Sequence, residues 1–331
     1  MSANLSPEYL KAEESYKAAK DPSEKLRYLE MMLTTIPKHK GTDKMQADIK
    51  RRIAKTKELL EKKSGGAKRY NPFKVEREGV GQIAIVGAPN SGKSALVGNL
   101  TNAKCTVADY PFTTTKPIPG MMAFENIQIQ LVDLPPVSME YTEPIMVGMI
   151  RNTDGAILVF DLTSDDPLSE IEIIKEILGK HKVEFSRNPA GKFTPDGVAH
   201  LKTLLVGTKL DVEGAQENLD LVKELYEKEF TVLGISTESG VGLDDIREKV
   251  FNMLNIIRVY TKSPGKEPDY SDPVSLKIGA TVKDFASNIH KDFAKELKFA
   301  KIWSKSDSKF DGQKVNRDES LIDGDVIELH I

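Results

Sequence analysis

Apolar residues recur along this chain in two rhythms, and the change from one to the other divides it. In the first 63 residues the spacing is helical. Ser6-Pro7-Glu8 and Asp21-Pro22-Ser23-Glu24 each set a capping side chain ahead of a first-turn proline. Leu26, Leu29, Leu33 and Ile36 then form one stripe, and Met45, Ile49, Ile53, Thr56 and Leu60 another along a helix from about Thr42 to Lys63. Ser64-Gly65-Gly66 reads as a hinge. From Gly81 short apolar strands alternate with amphipathic helices, the signature of an α/β sheet. The predicted strands are Ile83–Val86, Met121–Phe124, Ile127–Val132, Ala156–Asp161, Thr203–Val206 and Val232–Ile235, with helices after Lys93, Glu143, Leu168, Asn218 and Leu243. Residues 184–200, polar and punctuated by Pro and Gly, read as a surface loop. After Ser263-Pro-Gly-Lys-Glu-Pro268, read as a linker, strands at Val274–Ile278, Lys301–Trp303 and Val326–Leu329 surround a helix opened by the capping box Thr281-Val-Lys-Asp284. Val282, Phe285, Ile289 and Phe293 are expected on its buried face. This gives three units: a helical, partly basic region over 1–66, an α/β domain over 67–262, and a small mixed-sheet domain over 271–331.

Charge and cysteine content narrow the setting. The formal net charge of −3 provides no whole-molecule field for nucleic acid, but charge is unevenly placed. Between Lys38 and Tyr70 twelve Lys/Arg face four Asp/Glu. Such a stretch is either a solvated polar face or a contact surface for a phosphate backbone, most plausibly RNA. The single cysteine, Cys105, excludes an internal disulfide framework. No apolar run approaches the ~20 residues of a membrane span. The expectation is a soluble, cytoplasmic protein without membrane attachment.

The chemistry is concentrated in the middle unit. Gly87-Ala88-Pro89-Asn90-Ser91-Gly92-Lys93-Ser94, followed by Ala95, matches G-x-x-x-x-G-K-[ST] between a strand and a helix. Its glycines let backbone N–H groups converge on phosphate oxygens at the positive end of the helix. Lys93 would reach the β/γ-phosphates, and the Ser94 hydroxyl would hold Mg²⁺. Asp133, ending an apolar strand, is placed as the acidic partner of that ion. Thr208-Lys209-Leu-Asp211 ends another strand and fits [NT]-K-x-D. A carboxylate there accepts two hydrogen bonds from guanine, an edge that adenine lacks, and such sites discriminate by on the order of 10⁴. Ser236 and Thr237 follow the last strand and would back the base through their amides. Thr114, with Thr113 as second choice, would supply a switch hydroxyl to Mg²⁺. The sequence thus predicts a P-loop GTPase fold using GTP/GDP and Mg²⁺, with Lys93 and Thr114 carrying turnover.

The tract from Asn102 through Asp109-Tyr-Pro-Phe-Thr113 resembles the Obg/DRG branch of the translation-factor-related GTPases. Lys277-Ile-Gly-Ala-Thr-Val-Lys-Asp-Phe-Ala, with Ile289-His-Lys-Asp and Asp323-Gly-Asp-Val-Ile-Glu, resembles a TGS domain, a β-grasp module. The resemblance implies a slow GTPase working with ribosomes or RNA, with an accessory protein engaging the TGS or N-terminal region. Related GTPases use an asparagine at the position of Asn90 to bind K⁺, which makes K⁺ a candidate cofactor. Two departures stand out. The small domain that the family inserts after the switch II helix is missing, since the helix after Glu143 runs directly to Ala156–Asp161. The switch II motif D-x-P-G reads Asp133-Leu-Pro135-Pro136, and proline has no N–H with which to sense a γ-phosphate. Val137 stands where many GTPases orient water with glutamine. The alternative that follows is a guanine-nucleotide scaffold that does not hydrolyse.

Overall fold

A computed structural model describes residues 7–19, 22–36, 42–63, 75–101, 116–138, 142, 144–304 and 310–330. The chain divides into a unit over Met1–Asn71 and a second over Pro72–Ile331. The first holds α1 (Pro7–Ala18), α2 (Pro22–Thr35) and α3 (Asp43–Lys63). Tyr9 and Ala12 of α1, Leu29 and Met32 of α2, Ile36 just beyond it and Ile49 of α3 close a small core. Leu33, Met45 and Ile53 pack against that core while Leu26 is only half-buried, so the α2 stripe runs through Met32 rather than Leu26. On α3, Arg51 and Arg52 both pair with Asp48, at 3.1 and 2.8 Å. Ser6, Asp21 and the 64–66 hinge lie outside the described residues.

The second unit opens with a seven-stranded sheet in the order β2-β3-β1-β4-β6-β5, with β7 also on β6. The strands are β1 (Gln82–Gly87), β2 (Ile118–Phe124), β3 (Ile127–Asp133), β4 (Gly155–Asp161), β5 (Val183–Ser186), β6 (Ala199–Thr208) and β7 (Thr231–Gly234). Only β2 runs antiparallel, on β3. The central strands are buried on both faces, which explains their unbroken apolar runs. Alternate residues serve opposite layers. Ala84, Val86, Leu158 and Phe160 pack with α5 (Pro144–Asn152), α6 (Pro167–Lys180) and α7 (Ala215–Tyr226). Ile83, Ile85, Ile157 and Val159 pack with α4 (Lys93–Leu100) and α8 (Leu243–Met253). Only Thr153 and Asp154 separate α5 from β4, so nothing is inserted there.

The expected loop at 184–200 is partly strand. β5 pairs in parallel with the start of β6, Val183 opposite Ala199, and both residues are buried. A four-residue run beside Pro189 and Gly191 is too short to show a period of its own.

The second sheet has the order β11-β10-β12-β8-β9. It comprises β8 (Ile256–Thr261), β9 (Asp269–Lys277), β10 (Phe299–Trp303), β11 (Gln313–Val315) and β12 (Val326–His330). Here the structure moves the expected boundary. β8 pairs antiparallel with β9 and parallel with β12, so Ser263–Pro268 lies within a hairpin and does not link two domains. The helix α9 (Val282–Ile289) lays Val282, Phe285 and Ala286 on this sheet, and its predicted capping box is formed by Thr281 and Asp284. It stops at His290, whose extended backbone restarts the chain as α10 (Lys291–Glu296), and Ile289 is left exposed.

Arg258 of β8 fastens this sheet to the β2–β3 hairpin. Its Nη2 donates to Asp323 Oδ2 at 2.7 Å, its Nη1 pairs with Glu125, and its guanidinium lies 4.9 Å from the centre of the Phe251 ring. Phe124 stacks on Phe251 at 4.9 Å. Beside them the Asn126 amide donates to the Tyr260 hydroxyl at 2.8 Å and the Tyr270 carbonyl at 3.0 Å.

Candidate functional site

The C-terminal ends of β1, β3, β4 and β6 converge on one edge of the first sheet, where open α/β sheets place their ligands. β1 runs buried into Gly87, and the chain then turns through Ala88–Gly92 into α4. Gly87 admits no side chain, since a Cβ there would come 2.4 Å from the Val159 carbonyl oxygen. Gly92 has φ +86°, and a Cβ would meet the Thr208 hydroxyl at 3.0 Å. Asn90, at φ 60°, is exposed at the crest of the loop, a conformation asparagine tolerates.

Lys93 folds back over this loop, its Nζ donating to the Ala88 carbonyl at 2.6 Å. Burial pushes its ammonium down to about 8, against the pull of Asp133 and Glu170. Ser94, half-buried, donates to Asp133 Oδ2 at 2.6 Å, and Asp133 is wholly buried. A hydroxyl and a carboxylate oxygen this close, next to the N-terminus of α4, form the hard-oxygen donor set that Mg²⁺ takes when phosphates complete its shell.

The Thr208 hydroxyl, also buried, donates to the Ser91 carbonyl at 2.9 Å. The [NT]-K-x-D segment is thereby tied directly to the phosphate loop. Lys209 sits at φ 63° and its ammonium pairs with Asp161, at the end of β4. Burial would raise the Asp161 carboxyl, but hydrogen bonds from Lys209 and Thr163 hold it below the usual range. Asp161 belongs to the site and is missing from the sequence reading. The only signal for it is a strand-ending carboxylate aligned with Thr208, a pairing that sequence order does not reveal. Asp211 is exposed. Ser236 is buried, and its hydroxyl accepts from the Ser239 amide at 3.0 Å, while Thr237 is half-buried beside it. Ala95 lies in the first turn of α4. Thr113 and Thr114 lie outside the described residues.

Switch II departs further from the common pattern than the loss of one amide. The next N–H after Pro136, that of Val137, donates to the Gly87 carbonyl at 3.1 Å. The Val137 side chain packs in the core with Val86, Leu134, Met146 and Val147. At this point both the backbone N–H and the side chain are engaged within the protein. Among the described residues no group of three or more His, Cys, Asp or Glu forms a metal cluster. Among the described residues no helix is long and apolar enough to cross a membrane.

A family model described as a 50S ribosome-binding GTPase matches residues 82–188, and a TGS domain model matches 257–331, which includes β8. Fold, phosphate loop and domain pair together define a GTP-binding protein of the P-loop class carrying a TGS domain. Its curated relatives over most of its length are developmentally regulated GTP-binding proteins and similar GTP-binding proteins. An uncharacterised GTP-binding protein of Methanocaldococcus jannaschii is 27% identical over 366 aligned positions, covering 93% of this chain and 92% of the relative. Developmentally-regulated GTP-binding protein 1 of Xenopus laevis is 28% identical, covering 91% and 96%. The first alignment is longer than this 331-residue chain, so the relative carries segments that this chain lacks. Among solved structures, Era in complex with MgGDPNP and a 16S ribosomal RNA segment aligns at TM-score 0.42 and 21% identity, over 70% of this chain and 76% of that one.

Proposed function

We propose that this protein binds GTP and GDP with Mg²⁺, hydrolyses GTP slowly, and works in the cytoplasm on ribosomes or RNA during translation or ribosome assembly. The observation that carries the reading is the 2.9 Å hydrogen bond from Thr208 to Ser91, which yokes the guanine motif to the phosphate loop. Lys93 would bind the β/γ-phosphates, Ser94 and Asp133 would hold Mg²⁺, and Asp211 would grip the base edge. Thr114 is proposed as the switch hydroxyl, and Asn90 as a ligand that admits K⁺ beside the phosphates. Gly87 to Ala95, with Ser236 and Thr237, complete the pocket. The ribosomal part of the reading is supported by the description of the matching family model, by the TGS domain and by the basic stretch between Lys38 and Tyr70. An accessory protein would engage the TGS or N-terminal region.

A second reading, a guanine-nucleotide scaffold without turnover, is favoured by one observation. Pro136 offers no N–H, and the Val137 N–H is already bonded to Gly87. Single-turnover hydrolysis in K⁺ and in Na⁺ separates the two. Turnover above the uncatalysed background that Lys93→Ala abolishes supports the GTPase. Background rates in both salts, with GTP still bound tightly, leave the scaffold. Pelleting of the full chain with ribosomes tests the partner, and equal amounts in pellets with and without ribosomes would exclude it.

A further inference from the structure

Two adjoining grooves, of about 340 and 380 Å³, open at the edge of the first sheet opposite the phosphate loop. The start of β6, the end of α8, the 187–192 turn and the last residue of β9 form their walls. They share Asn188, Lys202 and Met253. Arg187 and Lys249 line the first groove, Lys192 and Lys277 the second, and Lys202 stands between them.

What these five cations touch sets them apart from an ordinary solvated face. Lys192 Nζ donates to the Asn152 carbonyl at 2.9 Å, and Lys277 Nζ to that of Leu254 at 3.4 Å. Lys202 Nζ donates to Asn255 Oδ1 at 3.2 Å, and Arg187 to the Glu227 carbonyl at 3.2 Å. All of these acceptors are neutral, and among the described residues none of the five cations forms an ion pair with a carboxylate. The one acid in the lining, Asp154, is committed elsewhere: it pairs with Arg77 and accepts the Gln82 amide at 2.9 Å. Glu184 faces only His200, at 3.5 Å. Burial holds the Lys192 and Lys202 ammoniums below their usual range; Asp154 pulls Lys192 partway back up, and the charges of Arg77 and Lys277 press it down. Five like charges gathered around one acid, itself paired with Arg77, in a chain whose formal net charge is −3, are stabilised by an external anion. The two grooves adjoin through shared walls, so a single extended strand can run along both. Carbonyl and amide groups lie between the cations to meet ribose hydroxyls.

We propose that these grooves form a track for the sugar–phosphate backbone of single-stranded RNA, on the far side of the sheet from the nucleotide pocket. The proposal rests on the RNA-associated reading above and assigns it a surface distinct from the basic N-terminal helices.

The test is fluorescence anisotropy of a labelled single-stranded RNA oligonucleotide with the full, GDP-loaded chain across a salt series. Neutralising Lys192, Lys202 and Lys277 to Gln together should weaken binding at least tenfold. It should also reduce the slope of log K against log salt by about 2, from roughly 0.7 per phosphate contact on a single strand. Lys249→Glu, a single change at the other end of the track, should weaken binding severalfold. Neutralising Lys50 and Arg51 on α3 should cost less than the triple change. GDP affinity should be unchanged in every variant, which verifies folding, because the grooves lie at the opposite sheet edge. If the wild type binds RNA and the groove variants keep its affinity and slope, the track is refuted while RNA association stands. If the wild type itself binds no RNA, the functional reading and the track fail together.

Discussion

Arg258→Ala would weaken the TGS sheet, through the loss of Asp323, and its tie to the nucleotide-binding sheet, through the loss of Glu125 and Phe251, and the cost can be worked out from the contacts. The Arg258 side chain is 9% exposed, whereas Glu125 is 61% and Asp323 36% exposed. Charge-assisted hydrogen bonds to Asp323 from Nε and Nη2 are worth about 1.5–3 kcal/mol. The exposed pair with Glu125 adds at most about 1 kcal/mol. Stacking on Phe251 adds about 0.5–1 kcal/mol. Asp323 retains the Arg258 backbone N–H at 2.7 Å and regains water, which trims the total to about 3 kcal/mol. The chain supplies its own reporter, because its single tryptophan, Trp303, lies in β10 of the TGS sheet. In urea, Trp303 fluorescence follows that sheet, and release of a fluorescent GDP follows the other. With an m-value of about 1.5 kcal/mol per molar, the Trp303 midpoint should fall by roughly 2 M in the variant and separate from nucleotide release. Glu125→Gln, the exposed control, should move it by less than about 0.7 M. Equal shifts for the two variants would refute the account of the Arg258–Asp323 pair as the main contribution.

Four further outcomes follow. Asp211→Asn should weaken GTP binding by roughly 2–5 kcal/mol in a calorimetric titration and leave the fold intact, since the residue is exposed; unchanged affinity would remove its guanine role. The Lys93 ammonium sits at about 8 in the nucleotide-free protein, below the usual 10.5, so phosphate binding requires protonation of a fraction that grows with pH; affinity for GTP should fall from pH 8 to 9, approaching tenfold per unit, and a flat profile would contradict this. The same displacement makes Lys93 destabilising to the empty fold below about pH 8, a penalty that fades as pH rises toward 10.5. Pro136→Gly should raise the preference for GTP over GDP only if the Val137–Gly87 bond opens, so a raised preference in competition binding should be accompanied by faster hydrogen exchange at Val137.

Much of this architecture is legible from period alone. The six strands predicted between Ile83 and Ile235 all form, because each central strand is buried on both faces and leaves an unbroken apolar run. The phosphate loop, Asp133 and Thr208 are legible because their chemistry restricts residue type. Asp161 is not, since its value depends on lying opposite Lys209, and an isolated carboxylate carries no trace of its partner. β8 is missing from the predicted strands for a related reason. Ile256–Thr261 reads as a strand only through its partners, and the Pro/Gly-rich turn behind it imitates a linker. The binding of Val137 N–H to Gly87 is equally invisible, although the apolar side chain at a site usually given to a water-orienting residue hints at burial.

The short turn between α5 and β4 has an effect beyond economy of length. Its Asn152 carbonyl accepts Arg77 Nη1 at 3.0 Å as well as Lys192, and Asp154 exchanges backbone and side-chain bonds with Gln82. A polypeptide carrying additional residues at this corner would have to release that knot, and Lys192 would lose its perch. The direct turn thereby fixes Lys192, one of the cations of the groove, in place.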